Sequence, residues 1–143
     1  MTGTEKLLRE LISLPSVNPA FLPPNDPKAG EGRVMEFLAC TAASAGLSIE
    51  FLKALPHRPN LLVTLAPRGK VRQRVLLAPH LDTVNGAADQ FVPRKTGGRL
   101  YGRGACDTKG SVAAMISMRI SCLLPARPGA AAPRPSPRYS GRR

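Results

Sequence analysis

Beyond Asp107 the chain has no aspartate, no glutamate and no histidine, although about a quarter of its 143 residues lies past that point. Within this sequence, chemistry that needs a further carboxylate or imidazole must draw it from residues up to Asp107. Tryptophan is missing altogether and there are only two tyrosines, so the alternation of aromatic and basic side chains used by single-strand nucleic-acid binders is absent. No window reaches the roughly 18 continuous apolar residues of a membrane span. "MTGTEKLLRELISL" at the N-terminus mixes acids and bases into its apolar pattern, unlike a secretory signal. A cytoplasmic location with no membrane partner is the resulting expectation. Cysteine is scarce too: Cys40, Cys106 and Cys122 are odd in number and lack CxxC spacing, which fits a reducing compartment and excludes a disulfide framework.

What the chain has in excess is positive charge, a formal +12. Residues 118–143 hold six arginines and no acid, and so carry half of it. A basic tail is more often a solvated feature than a specific site, and nucleic acid is not the expected partner.

Hydrophobic spacing places a helix over Leu7, Leu8, Leu11, Ile12 and Leu14, with Thr2 and Glu5 at capping-box distance and Pro15 as its end. Pro19, Pro23, Pro24 and Pro27 make the next stretch a loop. Val34, Phe37, Leu38, Thr41, Ala42 and Ala45 form one face of a second helix, and Gly46 is its expected stop. Three strands are expected. Ser48 to Leu55 alternates, whereas Asn60 to Ala66 and Arg74 to His80 are more continuous and read as buried on both faces. A third helix begins at Ser111. The order predicts an α/β sandwich with a mixed sheet.

Two stretches carry the chemistry. "LLAPHLDTV" (Leu76 to Val84) ends an apolar run in His80 and Asp82, which point to one side of an extended chain while Leu81 points to the other. The carboxyl edge of strands in an α/β sheet is where sites form. An imidazole there binds metal through one nitrogen if a carboxylate holds the other. "GRLYGRGACDTKG" presents Asp107 on a loop whose glycines at 102, 104 and 110 permit close backbone approach. Taken singly, a His-x-Asp pair at a strand end is more often a surface pair, and an aspartate among glycines more often a turn residue. The loop also lacks the GxxxxGK[ST] order of a phosphate loop.

Together, "APHLDTV" and "GRLYGRGACDTKGSVAAM" resemble the signature pair of the co-catalytic zinc amidohydrolases, the family of acetylornithine deacetylase, succinyl-diaminopimelate desuccinylase, aminoacylase and the glutamate-releasing carboxypeptidases. "LLRELISLPSVNP" resembles that family's opening helix and loop. The likeness covers roughly Thr4 to Ser117. It implies metal-dependent hydrolysis of the amide bond in N-acyl amino acids or short peptides. It implies His80 as ligand of one zinc, Asp107 as the carboxylate bridging two, and Asp82 as the catalytic-site partner that orients His80, with cobalt as an alternative ion.

The chain also departs from the family. The general-base glutamate, its neighbouring ligand glutamate, another carboxylate ligand and a final histidine should all follow Asp107, and none does. The inserted lid and dimerisation domain is missing as well. Residues 1–117 are thus expected to be the N-terminal part of a catalytic domain. In residues 118–143, 17 of 26 positions are Ala, Gly, Pro or Arg, the mixture that a GC-rich gene gives in a shifted frame. A truncated, inactive chain is the expectation. A pseudoenzyme or a protein that binds through its basic tail is the alternative. Glu31 and His57 are the substitutes that a working site would have to recruit.

Overall fold

The computed structural model describes residues 3–56, 58–66 and 69–123. Helix α1 spans Gly3–Ser13 and α2 spans Gly32–Ser44. Strands β1 (Ser48–Leu55) and β2 (Arg58–Thr64) follow, then the short strands β3 (Arg94–Thr96) and β4 (Arg99–Tyr101), and finally α3 (Lys109–Leu123). Thr2, half of the expected capping box, lies outside the described residues, as do His57 and residues 124–143 of the basic tail. Helix α3 continues through Leu123, past the change in composition at Met118.

The core is a meeting of three helices. Leu7 and Leu11 of α1, Val34 and Leu38 of α2, and Val112, Ala113 and Ile116 of α3 form one buried cluster. Leu61 and Val63 of β2 and Leu81 pack against it from outside. The buried stripe of α2 runs through Val34, Met35, Leu38, Ala39 and Ala42, turned slightly from the expected face, with Phe37 only partly covered. Gly46 ends α2 as expected. Its φ of 81° lets Leu47 N–H reach Ala42 O and Gly46 N–H reach Ala43 O, at 3.0 and 2.9 Å, the paired bonds of a Schellman stop.

The α/β class holds, with a sheet content that differs in detail. Among the described residues, β1 pairs with β2 and β3 with β4, both antiparallel, in two separate two-stranded sheets. β1 is exposed along its whole length, so its alternation buries neither face. The expected third strand, Arg74 to His80, is a correction: it belongs to no ladder, and Val75 and Leu76 are 64% and 76% exposed. Its apolar character suits burial on both faces, but among the described residues no strand pairs with it. Among the described residues, no helix is long and apolar enough to cross a membrane.

An exposed apolar run without ladder partners invites pairing between chains. The purified chain is therefore expected to self-associate at micromolar concentration. Combining Val75→Lys with Leu76→Lys is expected to move its elution in size-exclusion chromatography towards a monomer. A wild-type chain that elutes as a monomer at all concentrations would contradict this.

Candidate functional site

The connector after α1 sets the site. Val17 forms parallel bridges with both Ala29 and Thr83, so the loop after Pro15 is stitched to itself and to the segment carrying His80 and Asp82. Thr83 N–H donates to Ser16 O and Asn18 N–H to Thr83 O, both at 2.9 Å. The Ser16 hydroxyl donates to Leu81 O at 2.7 Å. Leu81 thus faces the core while His80 and Asp82 face outward together, the arrangement expected of positions i and i+2 in extended chain.

The Asp107 loop comes to the same place. At Gly104, with φ of 77°, a Cβ would stand 2.9 Å from Thr83 Cγ2 and 3.0 Å from Lys109 Cδ. Only glycine lets the loop close on both neighbours there. A Cβ at Gly102 would strike Ile12 at 2.4 Å, and one at Gly110 would strike Ala105 O at 2.4 Å, so the close approach expected at all three glycines is present. The peptide bond joining Asp107 and Thr108 is cis. Thr108 Oγ1 donates to His80 O at 2.5 Å, tying the two motif segments together.

These restraints hold the imidazole between two carboxylates. His80 Nδ1 lies 3.0 Å from Asp82 Oδ1, and His80 Nε2 lies 3.0 Å from Asp107 Oδ1. Asp82 is held in turn by Asn18, whose Nδ2 donates to its Oδ2 at 2.8 Å. Partial burial works against the imidazolium, but the bonds to Asp107 and Asp82 outweigh it and raise the His80 pKa above its ordinary value. Burial also works against the Asp82 carboxylate, and there the bonds from Asn18 and His80 prevail and lower its pKa. The group opens on a cleft of about 320 Å³ lined by Phe21, His80, Asp82, Val84, Arg103 and Asp107 among others. That volume lies at the small end of ordinary ligand sites.

Donor chemistry and spacing suit a zinc-like ion at His80 Nε2 and Asp107. An imidazole nitrogen and a carboxylate oxygen are standard zinc donors. Their 3.0 Å separation is close to the ~3.3 Å edge of a tetrahedron built on ~2.0 Å bonds. The set is incomplete: among the described residues, no group of three or more His, Cys, Asp and Glu side chains could hold a metal ion. Glu31 is no substitute, because it is engaged by Arg58 and does not line the cleft.

Sequence reading missed Asn18, Ser16 and Lys109. Asn18 precedes a proline and caps the 3₁₀ turn Pro19–Phe21, which is a local signal. No spacing rule links it to Asp82, 64 residues away. Lys109 is 1% exposed, and its Nζ donates to Leu11 O and Leu14 O, both at 2.7 Å, beneath the loop that presents Asp107.

Residues 76–120, the stretch holding both motifs, match the model of Peptidase family M20/M25/M40. The chain is similar to succinyl-diaminopimelate desuccinylases. It is 34% identical over 126 residues to that of Variovorax paradoxus (strain S110), covering 81% of this chain and 30% of the relative. It is 33% identical over 123 residues to that of Halorhodospira halophila (strain DSM 244 / SL1), covering 82% and 29%. Its fold is like that in the crystal structure of human carnosine dipeptidase 1, with a TM-score of 0.64 at 23% identity, over 84% of this chain and 28% of that one. The chain thus spans about 30% of the length of the curated relatives it matches. The matched motifs, the relatives and the shared fold agree: residues 76–120 carry the match to Peptidase family M20/M25/M40, and the fold is like part of a solved dipeptidase.

Proposed function

We propose that this chain contributes the first part of a metal-dependent amide hydrolase site, with His80 as ligand of one zinc ion, Asp107 as the carboxylate shared between two, and Asp82 as the group that orients His80. Residues 1–117 are the share of the catalytic domain that does this. The observation that carries the reading is the imidazole held by Asp82 on Nδ1, with Nε2 directed at the Asp107 carboxylate beside a cleft. With Nδ1–H given to Asp82, Nε2 would keep its lone pair for a metal ion. Asp107, whose side chain is 82% exposed, offers a carboxylate with two oxygens to the same space. Bound zinc, or cobalt in its place, supplies Lewis acidity and lowers the pKa of water.

The substrate class is an N-acyl amino acid or a short peptide. The relatives are named for desuccinylation and the structural neighbour for dipeptide cleavage, and both are hydrolyses of an amide bond in a small molecule. The chain by itself lacks the carboxylate that would take a proton from water and return it to the leaving amine, because no acid follows Asp107 and Glu31 is committed to Arg58. We therefore read the chain as an incomplete catalytic unit working in the cytoplasm, with no nucleic-acid or membrane partner.

Asp82→Asn tests the assignment. The amide preserves shape but gives up the charge that holds Nδ1–H, and zinc affinity is expected to fall about ten- to a hundredfold. Isothermal titration of the metal-free protein measures it. An unchanged affinity would reduce the pair to a coincidence at the end of an extended segment.

A further inference from the structure

The five residues from Leu14 to Asn18 anchor both motif segments. Leu14 O accepts from Lys109, two residues after Asp107. Ser16 holds Leu81 through its hydroxyl and Thr83 through its carbonyl. Asn18 holds Thr83 through its backbone N–H and reaches Asp82 with its side chain. Of these contacts, only that of Asn18 with Asp82 acts directly on the His80–Asp82–Asp107 line.

Asp82 is gripped on both oxygens, Oδ2 by Asn18 at 2.8 Å and Oδ1 against His80 Nδ1 at 3.0 Å. The terminal torsion of an aspartate is broad, so a carboxylate held at one oxygen swings and leaves His80 Nδ1 with only the Asp82 backbone carbonyl, also 3.0 Å away, to direct it. The asparagine is itself fixed, because its Oδ1 accepts from Ala20 N–H at 3.0 Å. Those two partners also decide which end of the amide faces the carboxylate: the acceptor is taken by Ala20, so the NH₂ must face Asp82.

We infer that Asn18 is a positioning residue of the candidate metal site: by clamping Asp82 it fixes the tautomer and the direction of His80, and so presents Nε2 towards Asp107. The inference rests on the reading that His80 and Asp107 take zinc, and it adds a residue that neither motif contains.

The test compares the full-length wild type with Asn18→Ser, Asp82→Asn, the double variant and His80→Ala. Serine still caps the Pro19–Phe21 turn but is too short to reach Asp82. Zinc affinity in Asn18→Ser is expected to fall about three- to tenfold, less than for Asp82→Asn because the residue is one step further from the ion. In the Asp82→Asn background the same change is expected to cost nothing more, since its route is already cut. An equal loss in both backgrounds, or none in either, would overturn the inference. A second readout needs no metal. The imidazole ¹⁵N shifts of metal-free protein, taken above the pH at which His80 is protonated, are expected to show one Nδ1–H tautomer in wild type and a mixture in Asn18→Ser. Identical spectra would overturn the inference by that route. If His80→Ala leaves zinc affinity unchanged, the metal assignment fails, and the tautomer experiment still decides whether Asn18 directs His80.

Discussion

The purified chain, supplied with zinc or cobalt, is expected to show no detectable hydrolysis of N-succinyl or N-acetyl amino acids or of dipeptides. The missing base alone removes about a hundredfold or more of rate. The loss is larger still because His80 and Asp107 are two donors where a closed zinc site takes about four. Among the described residues no third donor completes a cluster, and none of the residues after Asp107 is an acid or a histidine. The exposed run at Val75 and Leu76 adds a second obstacle, since among the described residues no ladder stiffens the stretch that leads into His80. A coupled assay following the released amine or amino acid measures the outcome. Metal-dependent turnover abolished by His80→Ala would contradict the account.

Replacing Lys109 by methionine is expected to destabilise the fold by about 1–3 kcal/mol, since Leu14 O loses its Lys109 donor and Leu11 O keeps only the longer bond from Leu14 N–H. Urea denaturation followed by circular dichroism measures this, and an unchanged midpoint would contradict it. The same lysine gives stability a dependence on pH. Burial, helped by the nearby charge of Arg33, lowers its pKa to about 8 from the usual 10.5. The unfolded chain keeps the proton up to the ordinary value while the folded chain releases it near 8. Unfolding therefore takes up a proton between those limits, and this residue's contribution to stability rises with pH across that window. The rise amounts to roughly 3 kcal/mol. A neutral amine retains two N–H donors, enough for both carbonyls, so deprotonation removes the cost of a buried charge without breaking either bond. The rise is expected in wild type and not in Lys109→Met. A fall in wild-type stability over the same window that Lys109→Met abolishes would show instead that the ammonium is favoured.

How far the sequence reveals this molecule depends on the range of each signal. Helix α1 is legible because Leu7 and Leu11 repeat at helical spacing, and the end of α2 because Gly46 can take a φ of 81°. The facing of His80 and Asp82 is legible because alternation in extended chain is a local rule. Arg74 to His80 is misread for a physical reason. Its apolar continuity reports the environment a buried strand needs, and the described part of the chain does not supply that environment. The brace beneath the site is illegible for another reason. Lys109 meets Leu11 across 98 positions and Asn18 meets Asp82 across 64, and neither contact leaves a pattern in one sequence. Lysine and asparagine read by default as solvated residues, and only packing turns them into supports.

The central claim is that His80 and Asp107 form part of a metal site. Isothermal titration of metal-free protein with zinc, on wild type and His80→Ala in parallel, tests it most directly. The account predicts weak binding of at most one zinc per chain in wild type and none in His80→Ala. Two tight sites per chain, or binding that survives the loss of His80, would contradict it.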